Sequence, residues 1–104
     1  MMDTLKKMFG AGPSVDFVQL VKDGAVILDV RSKGEYASGH IKGSINIAVD
    51  QIKQNLSRLP NKQKPIITCC ASGTRSASAK GILETSGYTN VHDGGSWSRL
   101  QQKI

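Results

Sequence analysis

Two adjacent thiols, Cys69 and Cys70, stand directly before Ala71-Ser72-Gly73-Thr74-Arg75-Ser76. The residues between Cys70 and Arg75 are small enough for consecutive N–H groups to turn inward as an anion-binding nest. The first turn of a following helix would add unpaired donors and the positive end of its dipole. A thiol facing such a ring is drawn toward thiolate, and an anionic group left on that sulfur is held by the same donors. The spacing makes Cys70 the candidate nucleophile and Ala71, Ser72, Gly73, Thr74 and Arg75 its candidate substrate- and anion-binding loop.

The elements on either side fit that task. Pro65-Ile66-Ile67-Thr68-Cys69-Cys70 is a short apolar run bounded by proline, the pattern of a buried strand. From Arg75 the pattern turns helical, with Ala77, Ala79, Ile82 and Leu83 on or near one face and Gly87 just past the end. The chain therefore predicts strand, loop and helix N-terminus in succession, with a cysteine at the strand's tip.

This segment resembles the active-site loop of the rhodanese family, in which Cys-x-x-Gly-x-Arg-Ser closes a strand and opens a helix; here it is carried by Cys70, Gly73, Arg75 and Ser76. A second motif of that family stands upstream as Leu28-Asp29-Val30-Arg31, Glu35-Tyr36, Gly39-His40-Ile41 and Gly43-Ser44-Ile45-Asn46-Ile47. A third, Asp93-Gly94-Gly95-Ser96-Trp97, lies near the end. The resemblance covers the chain from about residue 14 to 100. It implies a single-domain sulfurtransferase over 13–104, preceded by a loose or weakly helical lead over 1–12 that ends in a Gly/Pro breaker cluster.

Which cysteine does the chemistry separates two enzyme classes. Counted from Cys70, the loop has the rhodanese length to Arg75; counted from Cys69, it is one residue longer, the spacing of the tyrosine phosphatases. A longer loop makes a wider ring, suited to phosphate. Strand alternation lets only one of two neighbouring side chains face the ring. Cys70 is favoured because Gly73 then takes the family's third place after the nucleophile, while Thr68 and Cys69 continue the strand. A phosphatase also needs an acid for the leaving oxygen, and no Asp stands in a recognisable motif for it.

Further along, Ala25-Val26-Ile27-Leu28-Asp29-Val30 is the clearest strand, apolar on both faces as a central parallel strand is. Asp29 interrupts it, and a carboxylate there needs partners. We read it as ordering loop backbone at the site rather than moving a proton. Arg31 and Glu35 are expected to pair locally, a reading the resemblance shares; with Asp29 and Ser76 they form the expected site-supporting set. His40 is placed by the resemblance in a structural turn, and a thiolate made by backbone amides needs no base. Val15 is expected in a short first strand and Asp16 as a helix N-cap. Asp50 is expected to cap a helix running to Leu56 or beyond. Tyr88 to Asp93 reads as a last strand, and Trp97 and Leu100 as part of a closing helix, Trp97 serving the core or a pocket wall. The fold class is then α/β, a mostly parallel sheet of about five short strands flanked by helices on both faces. Its site lies beyond the carboxyl ends of the strands, where Asp29, Cys70 and Gly94 all fall.

Composition narrows the function classes. At 104 residues, one domain with a modest core is expected. Fourteen Lys and Arg against eight Asp and Glu give a positive surface that draws in small anions. The charges are dispersed and aromatics few, which argues against nucleic acid. No apolar run has membrane-spanning length, and residues 1–9 lack the apolar core of a signal peptide, so a cytoplasmic location is expected. Neighbouring Cα atoms lie about 3.8 Å apart, short of the usual disulfide span of roughly 4.4–6.8 Å, so the pair cannot staple the fold. Spaced cysteine ligands are absent, and neither a metal nor an organic cofactor is implied. The expected partners are a small anionic sulfur donor and a thiol or protein sulfur acceptor, acting on a monomer or weak dimer. Position 71 is Ala, where family members often carry a bulkier or charged residue, so donor preference is open. A persulfide carrier or regulatory binding module is the rival reading, and a cysteine phosphatase or arsenate reductase a further one.

Overall fold

A computed structural model describes residues 15–104 of the chain. The lead expected over 1–12 lies outside the described residues. Four strands form one parallel sheet in the order β2-β1-β3-β4: β1 Val26–Asp29, β2 Ile45–Asn46, β3 Ile66–Cys70 and β4 Val91–Ser96. Around it lie α1 Phe17–Lys22, α2 Lys33–Ala37, α3 Thr74–Thr85 and α4 Trp97–Lys103. Among the described residues the sheet has one strand fewer than the expected count of about five. Val15 is exposed and joins no strand, while Asp16 does cap α1, its carboxylate accepting the Gln19 amide at 3.0 Å.

β3 is the axis of the molecule. All five of its residues are buried, because it has a strand neighbour on each edge and a packed layer on each face. Its alternation divides the core in two. Ile66 and Cys70 face a cluster with Leu28, Val30, Ala79 and Leu83. Ile67 and Cys69 face a second cluster with Ile27, Ile41 and Leu100, against which Phe17, Leu20 and Trp97 pack. So α3 covers one face of the sheet, and α1 and α4 cover the other.

Three local readings are corrected. The helix expected after Asp50 is a pair of 3-10 segments, Val49–Gln51 and Lys53–Arg58, and Asp50 lies inside the first rather than capping it. Ala77 is exposed, and the buried stripe of α3 is Ser76, Ala79 and Leu83, so in its first turn the Ser76 hydroxyl takes the inward place expected for Ala77. The last strand is β4, which begins at Val91 and runs on through both glycines to Ser96, so it is the expected Tyr88 to Asp93 span shifted toward the C-terminus at both ends. Thr68 pairs with Asp93 but Cys70 with Ser96, so β4 uses one residue more than β3 and bulges at its glycines.

Candidate active site

The site begins where β3 ends. Gly73 adopts φ +106°, a left-handed conformation open to glycine, and there the chain reverses to start α3. That reversal points the loop amides back at the strand. Gly73 N donates to Cys70 Sγ at 2.9 Å and Ser76 N donates to it at 3.3 Å. Burial pushes the Cys70 thiol up, but the Ser76, Gly73 and Ser72 amides favour its anion and bring it below the ordinary thiol value. Cys70 has no exposed surface. The sulfur thus sits inside the ring of amides, deeper than the strand's tip suggested.

The Ser76 side chain ties this loop to β4. Its Oγ is 2.7 Å from Asp93 Oδ1 and 2.9 Å from Gly73 O. A hydroxyl has one proton, and the closer, charged carboxylate takes it, which leaves the Ser76 amide as that residue's main donor to sulfur. Asp93 also accepts the Gly95 amide at 2.9 Å, an Asx turn at the bulge. Thr68 Oγ1 donates to Ser76 O at 2.9 Å. The sequence alone pointed to no role for Asp93 or Thr68; an Asp directly before a glycine pair was the available signal.

Cys69 is elsewhere. It lies on the opposite face of β3, beside Asp29 in register, and burial followed by the Asp29 charge pushes its thiol up to about 12. A ring counted from Cys69 to Arg75, the phosphatase spacing, does not form around that sulfur.

The supporting residues pair differently from expectation. Arg31 pairs with Asp29, Nη2 to Oδ2 at 2.6 Å, with both side chains almost wholly buried. Asp29 also accepts the Arg31 amide at 3.0 Å. The remaining Arg31 donors reach the carbonyls of Glu35 at 3.2 Å and Gly39 at 2.6 Å, holding the turn around α2. The face of the guanidinium lies 4.7 Å from the Trp97 ring centroid, which accounts for Trp97 as a core-side residue. The expected Arg31–Glu35 ion pair is absent: Glu35 offers Arg31 only its backbone, and its carboxylate binds Arg75 through both oxygens, at 2.7 and 2.9 Å. Arg75 is thereby directed away from the sulfur and holds the first turn of α3 to α2. His40 is exposed, stacked on Tyr36 at 3.7 Å with Nδ1 2.8 Å from Tyr36 O, a turn-stabilising arrangement.

Comparison with known proteins agrees with this geometry. The profile of the Rhodanese-like domain family matches residues 3–101. The chain is 35% identical over 69 residues to the thiosulfate sulfurtransferase PspE of Escherichia coli, covering 65% of this chain and 66% of that protein. It is 35% identical over 79 residues to the thiosulfate sulfurtransferase GlpE of Pseudomonas fluorescens, covering 73% and 71%. Among solved structures, the human single-domain sulfurtransferase TSTD1 superposes with a TM-score of 0.75 at 26% identity, over 89% of this chain and 98% of that one. An Escherichia coli rhodanese solved with anions gives 0.69 at 32% identity, over 72% and 89%. With its parallel sheet, its loop of inward amides and a family profile matched along nearly its whole length, the chain belongs to the rhodanese-like domain family.

Proposed function

We propose that this protein is a sulfurtransferase that carries a sulfane sulfur as a persulfide on Cys70, thiosulfate being one donor. The observation that carries the reading is the pair of amides, from Gly73 and Ser76, aimed at Cys70 Sγ. The Cys70 thiolate attacks the outer sulfur of thiosulfate; the S–S bond of the donor breaks and its electron pair leaves with sulfite. The new terminal sulfur is anionic and is held by the loop amides of Ala71 to Arg75. In the second half-reaction a thiophilic acceptor, cyanide in the assay or a thiol in the cell, attacks that sulfur and the Cys70 thiolate is restored. This is covalent catalysis in two steps with ping-pong kinetics. A relative solved with anions supports reading the nest as an anion cradle.

The test is intact-mass measurement after thiosulfate treatment, with thiosulfate:cyanide turnover measured alongside. A gain of one sulfur atom that is lost on adding cyanide, and absent in Cys70→Ser, is the expected result. Equal turnover in the wild type and Cys70→Ser would overturn the reading. A sulfur that is gained but not released to cyanide would favour a persulfide carrier instead.

A further inference from the structure

Of the four cations Arg31, Arg75, Arg99 and Lys103, two are already matched. Arg31 is bound to Asp29 and Arg75 to Glu35. The other two, Arg99 and Lys103, are exposed and have no carboxylate partner among the described residues, although Lys103 Nζ lies over the Phe17 ring, 5.6 Å from its centroid. They stand one turn apart on the same face of α4. Both line a cleft of about 490 Å³ whose other walls include Ala71, Ser72, Gly94 and Gly95. Ala71 and Ser72 directly follow the Cys70 nucleophile, so the cleft abuts the shoulder of the loop.

The cleft is large for the small reactants. Its volume lies in the range, roughly 300–1,000 Å³, that takes up organic ligands of many atoms; thiosulfate or cyanide would fill a small part of it. Its walls near the loop carry little bulk, since Gly95 has no side chain and open space around it, and Ala71 has only a methyl. The nearby Asp93 carboxylate is engaged by Ser76 and Gly95. The cleft therefore combines room with two positive charges that no carboxylate among the described residues neutralises.

On the reading that Cys70 carries a persulfide, the second half-reaction brings together two anions. An acceptor thiolate attacks the outer sulfur of the persulfide anion, an S–S bond forms to the acceptor, and the bond from that sulfur to Cys70 breaks. The electron pair stays on Cys70, so a thiolate and a persulfide become a persulfide and a thiolate. Their mutual repulsion opposes encounter. Carboxylates on the acceptor add to this repulsion, and fixed cations on the cleft wall, set apart from the sulfur itself, pair with those carboxylates and offset the added part. We propose that Arg99 and Lys103 are specificity-determining residues for this step and select a carboxylate-bearing organic thiol as the sulfur acceptor.

The experiment is single-turnover sulfur release from persulfidated protein, followed by intact mass. It compares the wild type, the Arg99→Gln/Lys103→Gln double variant, and the charge-conserving Arg99→Lys/Lys103→Arg variant. The acceptors are glutathione, a thiol with two carboxylates, and neutral 2-mercaptoethanol. With glutathione below saturation, the Gln variant should lose about tenfold in rate, chiefly through half-saturating concentration, and the charge-conserving variant should recover most of it. With 2-mercaptoethanol all three should agree within about twofold. Equal losses on both acceptors, or no loss on glutathione, would overturn the proposal while leaving the persulfide intact. A wild-type protein that gains no sulfur from thiosulfate would instead overturn the persulfide reading and this inference with it.

Discussion

Glu35 and Arg75, forty residues apart in sequence, meet through two parallel hydrogen bonds of 2.7 and 2.9 Å. The same carboxylate accepts the amide and hydroxyl of Ser32 at 3.1 and 2.9 Å, completing the capping box of α2. One side chain therefore caps a helix and ties it to the first turn of α3, directly behind the loop of inward amides.

Glu35 should act as an acid-sensitive tie. Arg75, then the Ser32 amide and hydroxyl, hold its carboxyl down at about 2, against roughly 4.3 in an unfolded chain. A depressed carboxylate contributes fully above its unfolded value and loses that contribution as pH falls through the folded one. Urea midpoints of the wild type and Glu35→Gln should thus differ at neutral pH and converge between about pH 4.3 and 2. Both side chains are more than a third exposed, so the difference should be small and should shrink in high salt. A gap that persists unchanged at pH 2 would contradict this account.

The two thiols should behave as chemically different groups despite adjacency. Iodoacetamide should label Cys70 alone in the folded protein, at a rate that levels off below the ordinary thiol value of about 8.5. Cys69, held up near 12 in an apolar cluster, should react only once urea is added. Peptide mapping reads the outcome, and labelling of Cys69 first would refute the assignment of faces. Cys69→Ala should keep sulfur transfer and lose on the order of 1 kcal/mol of stability, the cost of a small core deletion.

Asp29 and Arg31 form the buried charge pair of the fold. Removing one charge strands the other, so Asp29→Asn should cost about 3–5 kcal/mol in urea unfolding. The Arg31 guanidinium also holds the carbonyls of Glu35 and Gly39, so the loss should come with faster amide exchange around α2. A change of less than about 1 kcal/mol would mean that water or another group already neutralises Arg31.

The paired glycines of β4 should differ in tolerance. A Cβ on Gly94 would stand 2.7 Å from the Thr68 carbonyl oxygen, 2.8 Å from Ile67 Cγ2 and 2.9 Å from Leu100 Cδ2. The first of these is backbone of the central strand and cannot move aside. Gly94→Ala should therefore lower stability by about 1–3 kcal/mol and disturb the cleft beside the loop. Gly95 has open space around it but φ +72°, so Gly95→Ala should cost nearer 1–2 kcal/mol, from the backbone alone. Thermal melts of the two variants would settle their order.

The sequence by itself determined the loop, because everything the loop needs is local. The sulfur and the amides that bind it lie within Cys70 to Ser76, so residue size, one glycine and the strand-to-helix change were enough to anticipate it. The parallel α/β architecture was legible for a similar reason, since strands buried on both faces carry unbroken apolar runs. Only the tertiary structure decided which charges meet. Arg31 precedes α2 and Glu35 lies within it, so nearness in sequence did not bring their side chains face to face. Arg31 instead turned back to Asp29, and sheet register together with the placement of α3 delivered Arg75 to Glu35. The bulge at Gly94 and the cleft beneath Arg99 and Lys103 likewise arise where β4 and α4 pack against β3, and such relationships depend on how whole elements settle against one another.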